Sequence, residues 1–224
     1  MTADAIGVDL DEHEGLTLRE RKRLAAREAL SAAAIRLAME RGLENVRVED
    51  IAAEVGVSPR TFNNYFSSKE QAICAITVRR NLRIAELLLE RPADEPIWTA
   101  VTNAVVEHHA GLGTPARDFI ARFRLMFGNE ALRGEFLRAN AEVEQQISLA
   151  VARRTGTDAE HDLGPQLMAG AISCAIRVAM QNWLNQDRKT TMGECVRAAI
   201  TELADGIPSL SAKTPATCHH NEDD

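Results

Sequence analysis

Apolar positions along this chain recur at helical spacing, and from Pro96 onward no alternation of the strand period competes. Thr17-Leu18-Arg19-Glu20 forms a capping box ahead of a helix that runs to Arg41 and stops at Gly42, with Leu30, Ala34, Leu37 and Ala38 on one face. Ile51, Ala52 and Val55 cover one side of a short helix that ends at Gly56. Ser67 or Ser68 opens a helix that Pro92 terminates near Arg91. Further helices are predicted over 96–110, 115–127, 130–154, a long one ending near Gln186, and 192–205. Proline at the first helical position and the boxes Thr157 to Glu160 and Thr191 to Glu194 supply their starts. Pro165 either kinks the long helix or marks its true beginning. The expectation is an all-α protein of about nine helices.

The run VEDIAAEVGVSPRTFNNYFSSK, Val48 to Lys69, carries the chemistry. It reads as two short helices around a glycine turn, the build of a DNA-reading helix-turn-helix. Ser58 offers an N-cap oxygen and Pro59 suits the first helical position. Arg60, Thr61, Asn63 and Asn64 follow, all able to reach base edges.

This stretch resembles the TetR family of transcriptional regulators, whose pattern runs roughly IA-x-x-x-GVS-x-x-T-hydrophobic-aromatic-x-[HY]-F-x-x-K; here it stands as IAAEVGVSPRTFNNYFSSK. The likeness extends upstream through ERGLENV and downstream into SKEQAI, about the first third of the chain. It implies a three-helix DNA-binding domain over 17–67 and a helical effector-binding and dimerisation domain over 68–207, between an acidic leader, 1–16, and a tail, 208–224, both read as disordered. Two positions depart from the family pattern. Arg47 stands where a threonine usually caps the helix and touches phosphate; an arginine can bind phosphate but cannot cap. Asn63 stands where an aromatic residue usually packs against the DNA backbone. Arg60, Asn63 and Asn64 are expected to read bases, and Arg47, Thr61, Tyr65 and Lys69 to hold phosphates, with Ser58 and Pro59 starting the helix.

A net charge of −7 runs against DNA binding until its distribution is considered. Residues 1–16 hold five acids and no Lys or Arg, whereas 17–70 hold ten bases against eight acids. Arg19, Arg21, Lys22, Arg23 and Arg27 cluster at the start of the first helix, either as a basic arm near the phosphates or as a solvated helix start. The leader, with Asp4, Asp9, Asp11, Glu12 and Glu14, either only solvates or competes with DNA for those arginines.

Met168 to Met180 is crowded with small residues that let another helix approach closely. In TetR-like proteins the last two long helices pair with their copies. That resemblance makes Gly170, Cys174, Ile176, Met180, Trp183, Val196 and Ile200 candidates for a homodimer interface, an intramolecular core being the alternative. Phe119, Phe123, Met126 and Phe127 form a stripe at helical spacing, with Trp98 and Phe136 as neighbours. Such a stripe is either core or the lining of a cavity for a small apolar effector, whose polar end His108, His109, Arg122, Arg124 or Asn140 would orient.

Adjacent His108 and His109 point in different directions on a helix and cannot share a metal as an i, i+4 pair does. Cys74, Cys174, Cys195 and Cys218 lack paired spacing, so no structural disulfide is expected. Cys218, His219 and His220 beside Glu222, Asp223 and Asp224 are potential metal ligands on a tail read as disordered, and no metal site or cofactor is expected. No apolar run approaches the roughly 20 residues that cross a bilayer, and no signal peptide opens the chain, which places it in the cytoplasm. No nucleophile elbow, phosphate-cradling glycine loop or zinc-protease pair is present, so an enzyme is not expected. The sequence thus points to a dimeric regulator, a repressor more than an activator, that binds a palindrome in double-stranded DNA and is released by a small, mainly apolar effector. A ligand-independent regulator is the competing reading.

Overall fold

The computed structural model describes residues 17–110, 117–185 and 190–211. These form α1 (Leu18–Arg41), a 3-10 turn (Leu43–Asn45), α2 (Val48–Val55), α3 (Pro59–Asn63), α4 (Lys69–Glu90), α5 (Ile97–Ala110), α6 (Arg117–Gly128), α7 (Glu130–Thr155), α8 (Leu163–Asn185), α9 (Met192–Ala204) and the single turn α10 (Pro208–Ser211). No strand occurs among the described residues. The acidic leader, the Cys218-to-Asp224 tail and the side chain of Phe119 lie outside what the structure describes.

Local chemistry sets most of these boundaries. Thr17 caps α1 as expected: its hydroxyl accepts the Glu20 N–H at 3.3 Å, and the Glu20 carboxylate accepts the Thr17 N–H at 2.8 Å. Thr191 and Glu194 repeat the box at α9, with bonds of 3.2 and 2.6 Å. The box expected at Thr157 does not form. Asp158 instead accepts the N–H groups of Glu160 and His161 at 2.7 and 3.0 Å, which closes a local turn and delays α8 to Leu163. An aspartate beside the threonine competes for the same orphan donors and folds them into a turn. Pro165 sits buried in the first turn of α8, so it marks the beginning of that helix and does not kink it.

The chain divides into two compact units. One comprises the described residues up to Thr77 with Leu125–Phe136; the other comprises Val78–Arg124 with the described residues from Leu137 on. Helix α4 gives its first nine residues to the former and the rest to the latter.

In the first unit α1, α2, α3 and the start of α4 close on a core that includes Leu30, Leu37, Ile51, Phe62, Phe66 and Ile73. Met126, Leu132 and Phe136 join that core, and the Phe127 ring meets Phe136 edge-on at 5.5 Å. This corrects the effector-cavity reading for three residues: Met126, Phe127 and Phe136 pack in the unit that carries the helix-turn-helix. Polar groups inside it are satisfied, the Ser31 hydroxyl donating to the Ala72 carbonyl and the Cys74 thiol to the Leu132 carbonyl at 3.7 Å. Burial, then the nearby carboxylates of Glu135 and Glu70, push the Cys74 thiol up to about 12, so it behaves as a small apolar residue.

In the second unit α9 packs against both α8 and α5. Ile176, Met180, Trp183, Val196 and Ile200 are buried within the protomer, and the Trp183 indole donates to the Thr190 carbonyl at 3.0 Å. Their assignment to a dimer interface is therefore corrected: the same small and apolar residues that suit helix pairing serve the protomer's own core. By length and composition α8 is apolar enough to cross a bilayer, contrary to the sequence expectation. An average over the helix tolerates the lone charge of Arg177, which breaks any uninterrupted run; the buried side of α8 is ordinary core packing.

Arg154, on α7, holds the end of α4. Its guanidinium donates to the carbonyls of Arg91 at 2.8 Å and Pro92 at 2.6 Å, and more weakly to Leu88 and Glu95, both at 3.3 Å. The connection to α5 is fastened further by Arg91, which forks onto Glu95 at 2.8 and 3.0 Å, and by Asn103, which donates to the same carboxylate at 2.7 Å.

Candidate nucleic-acid interface

The turn between α2 and α3 is built around Gly56, whose backbone is left-handed, with φ 74° and ψ 31°. The N–H groups of Gly56 and Val57 return to the carbonyls of Ala53 and Ala52 at 3.1 and 2.9 Å, ending α2 where a side chain would be strained. Ser58 then caps α3, its hydroxyl accepting the Thr61 N–H at 3.1 Å and meeting the Thr61 hydroxyl at 2.9 Å. Pro59 occupies the first turn, where its missing N–H is not needed. Arg47 makes no side-chain cap for α2, as its acceptor-free guanidinium requires; the Asp50 carboxylate accepts the Arg47 N–H at 2.9 Å.

Five residues make a marginal helix, and Phe62 holds this one in place. It is fully buried, with its ring 5.6 Å from that of Phe66, and that burial contributes about 2–3 kcal/mol. With Phe62 pointing inward, Arg60, Asn63 and Asn64 are left exposed, and Thr61 and Tyr65 are half-buried beside them. Ser58, Pro59 and Arg47 are exposed as well. The face that carries the expected base-reading residues is therefore presented outward.

The first turns of α1 share this side. Thr17, Arg19, Glu20 and Arg23 line a cleft of about 520 Å³ with Thr61, Asn64 and Tyr65. Of the five basic residues at the start of α1, Arg19 and Arg23 thus stand next to α3, while the Arg27 guanidinium lies 5.0 Å over the Phe66 ring. The pairing of α1 with α3 was not legible in the sequence, because the two segments lie some forty residues apart. Glu20 brings negative charge into the cleft, but Thr17 engages it: bonds from the Thr17 hydroxyl and N–H hold its carboxyl below the usual range.

Lys69 does something the sequence did not indicate. Its ammonium donates to the carbonyls of Leu43 and Val46, at 2.8 and 2.9 Å, which closes the end of the 3-10 turn onto the start of α4. Two of its three donors are consumed inside the unit.

A short polar helix, fixed from behind by a buried aromatic residue and flanked by arginines, defines a helix-turn-helix DNA-binding protein with a second helical unit. Comparison with known proteins agrees. The family model for bacterial regulatory proteins of the tetR family matches residues 30–73, and that for the MftR C-terminal domain matches residues 95–208. The chain is 31% identical over 206 residues to the HTH-type transcriptional regulator TcmR of Streptomyces glaucescens, a match covering 88% of this chain and 90% of that one. Among solved structures, NalD, the secondary repressor of the MexAB-OprM multidrug efflux pump in Pseudomonas aeruginosa, superposes with a TM-score of 0.55 at 19% identity, covering 83% of this chain and 96% of its own. The regulator FadR from Bacillus subtilis, solved in complex with stearoyl-CoA, gives 0.53 at 18% identity, covering 80% and 98%. At such identities the two structures share the fold. The chain belongs to the TetR family: it is a DNA-binding transcriptional regulator and not an enzyme.

Proposed function

We propose that this regulator is a cytoplasmic repressor that binds a palindromic operator as a homodimer and is released by a small, mainly apolar effector. The observation that carries the DNA-reading part is α3, with Phe62 locked inward and Arg60, Asn63 and Asn64 turned out. Arg60 forks onto guanine and an asparagine onto adenine, while Arg47, Tyr65, Arg19 and Arg23 engage phosphates. Dimerisation draws support from α8, where Leu163, Leu167, Cys174 and Val178 are exposed and recur at intervals of four, seven and four residues, with half-buried Gly170 between. This stripe replaces the buried residues named from the sequence.

The effector acts in the second unit, where Trp98 and His108 are half-buried and Phe123 is buried. Asn140 is less free to meet a ligand, since it donates to Ser173 at 3.2 Å and Glu144 at 3.3 Å. An effector seated there moves α4, and α4 supplies its first turns to the DNA-reading unit. NalD and SmeT, the repressors of efflux pumps, support the sign of regulation by likeness of fold.

Selection of sites from a random duplex library tests the reading. The native chain is expected to enrich a palindrome, and an Arg60→Ala/Asn64→Ala variant is not. Failure of the folded native chain to enrich any site would refute it.

A further inference from the structure

The cleft beside α3 matches a segment of the same chain. Its lining includes two arginines one helical turn apart, Arg19 and Arg23, together with Thr61, Asn64 and Tyr65 from the DNA-reading element. Neither guanidinium has an ion-pair or hydrogen-bond partner among the described residues, whereas Arg36 of the same helix pairs with Glu40 and Glu54. Glu20 is the one carboxylate in the lining, and it is committed elsewhere: its Oε2 accepts the Thr17 N–H at 2.8 Å and the Thr17 hydroxyl at 2.7 Å. The cleft therefore offers two uncommitted cations, with the Asn64 amide and the Tyr65 phenol as neutral donors beside them.

Thr17 itself lines the cleft, and the acidic leader continues directly from it. The Thr17 backbone is extended, with φ −63° and ψ 157°, and its N–H is tied to Glu20, so the chain enters α1 at the rim of the cleft. Residues 1–16 carry Asp4, Asp9, Asp11, Glu12 and Glu14 and no Lys or Arg. Asp11, Glu12 and Glu14 lie within six residues of Thr17. Six residues span at most about 20 Å, so all three carboxylates can reach the two arginines. One exposed ion pair contributes little by itself, but a short tether holds these carboxylates at an effective concentration of about millimolar, and each guanidinium can take a carboxylate in a two-pronged grip.

We propose that the acidic leader docks in this cleft, with Asp11, Glu12 and Glu14 on Arg19 and Arg23, and that DNA must displace it. Phosphates and carboxylates ask for the same guanidinium forks, so leader and duplex exclude one another. The leader is thus a built-in inhibitor of the DNA-reading face. This consequence rests on the DNA-reading role of α3 above.

The test uses the full chain and a neutral-leader variant, Asp4→Asn, Asp9→Asn, Asp11→Asn, Glu12→Gln and Glu14→Gln together, each with and without Arg19→Gln/Arg23→Gln. Tyr65 is the single tyrosine of the chain, so incorporated 3-fluorotyrosine gives one fluorine resonance that reports on the cleft without DNA. Neutralising the leader is expected to shift that resonance, and added salt to move the native signal toward the same position. It is also expected to tighten operator binding about three- to tenfold at about 50 mM salt, the difference narrowing toward about 200 mM. In the Arg19→Gln/Arg23→Gln background most of both effects is expected to vanish, because the docking groups are gone. Simple repulsion between leader and DNA would tighten binding equally in both backgrounds and leave the Tyr65 signal unmoved, and either result would overturn the proposal. A moved Tyr65 signal with unaltered operator affinity would overturn the inhibition. If none of the four chains binds any duplex, the DNA-reading assignment falls, while the fluorine comparison still decides whether the leader docks.

Discussion

Replacing Lys69 with methionine keeps most of the aliphatic stem and removes only the ammonium, so it isolates the two bonds to Leu43 and Val46. At 2.8 and 2.9 Å both are charge-assisted, and such bonds are worth about 1.5–3 kcal/mol each. Two effects reduce the sum. The Leu43 carbonyl keeps the Val46 N–H at 3.2 Å, and removing a half-buried ammonium relieves its desolvation. A net loss of about 2–3 kcal/mol is expected, or a fall of about 4–12 °C in the melting transition of a chain this long. Calorimetry of the variant measures it. The second measurement is the slope of log affinity for operator DNA against log salt concentration, which a phosphate-binding lysine flattens by about one unit when lost. The folded variant is expected to keep the native slope, because its ammonium is spent on the end of the 3-10 turn. An unchanged melting temperature with a slope flatter by about one would refute this reasoning and return Lys69 to the phosphates.

Acid should destabilise the second unit. His108 and His109 are held at about 3 and 4, below their ordinary 6.5, chiefly by burial, so below pH 6.5 the unfolded chain takes up protons that the folded chain refuses. Stability is complete above that value and declines as pH falls toward 4, by about 2–4 kcal/mol between pH 7 and pH 5. Urea midpoints across that range measure the loss, and a His108→Asn/His109→Asn variant with the same decline would contradict the assignment. Arg154→Met strips four carbonyls of their donor and should cost about 2–4 kcal/mol by denaturant unfolding; no change would mean that water replaces the guanidinium freely. Thr191→Ala should cost about 1 kcal/mol and Thr191→Ser almost nothing, since only the hydroxyl caps α9. Equal losses in the two variants would place the role of Thr191 in its methyl group.

The sequence by itself determined the helices and the DNA-reading element, because those depend on neighbours in the chain. Thr17 with Glu20, Thr191 with Glu194, Gly56, and Ser58 with Pro59 act over a few residues, and each stands where its spacing implied. Where two local signals competed, as Thr157 and Asp158 did for the same N–H groups, spacing could not say which would win. Tertiary structure decided the partners. Helical periodicity marks a face as apolar without naming what covers it, so the Phe123-to-Phe127 stripe gave no sign that Met126 and Phe127 would pack with the helix-turn-helix. It also gave no sign that the small residues of α8 and α9 would bury Ile176, Met180 and Val196 within one protomer and leave Leu163, Leu167 and Val178 outside. Charged side chains are less legible still, because a lysine or arginine reaches several residues in any direction. Only the folded chain distinguishes Lys69, closed on two carbonyls, and Arg154, closed on four, from Arg19 and Arg23, whose guanidiniums have no partner among the described residues.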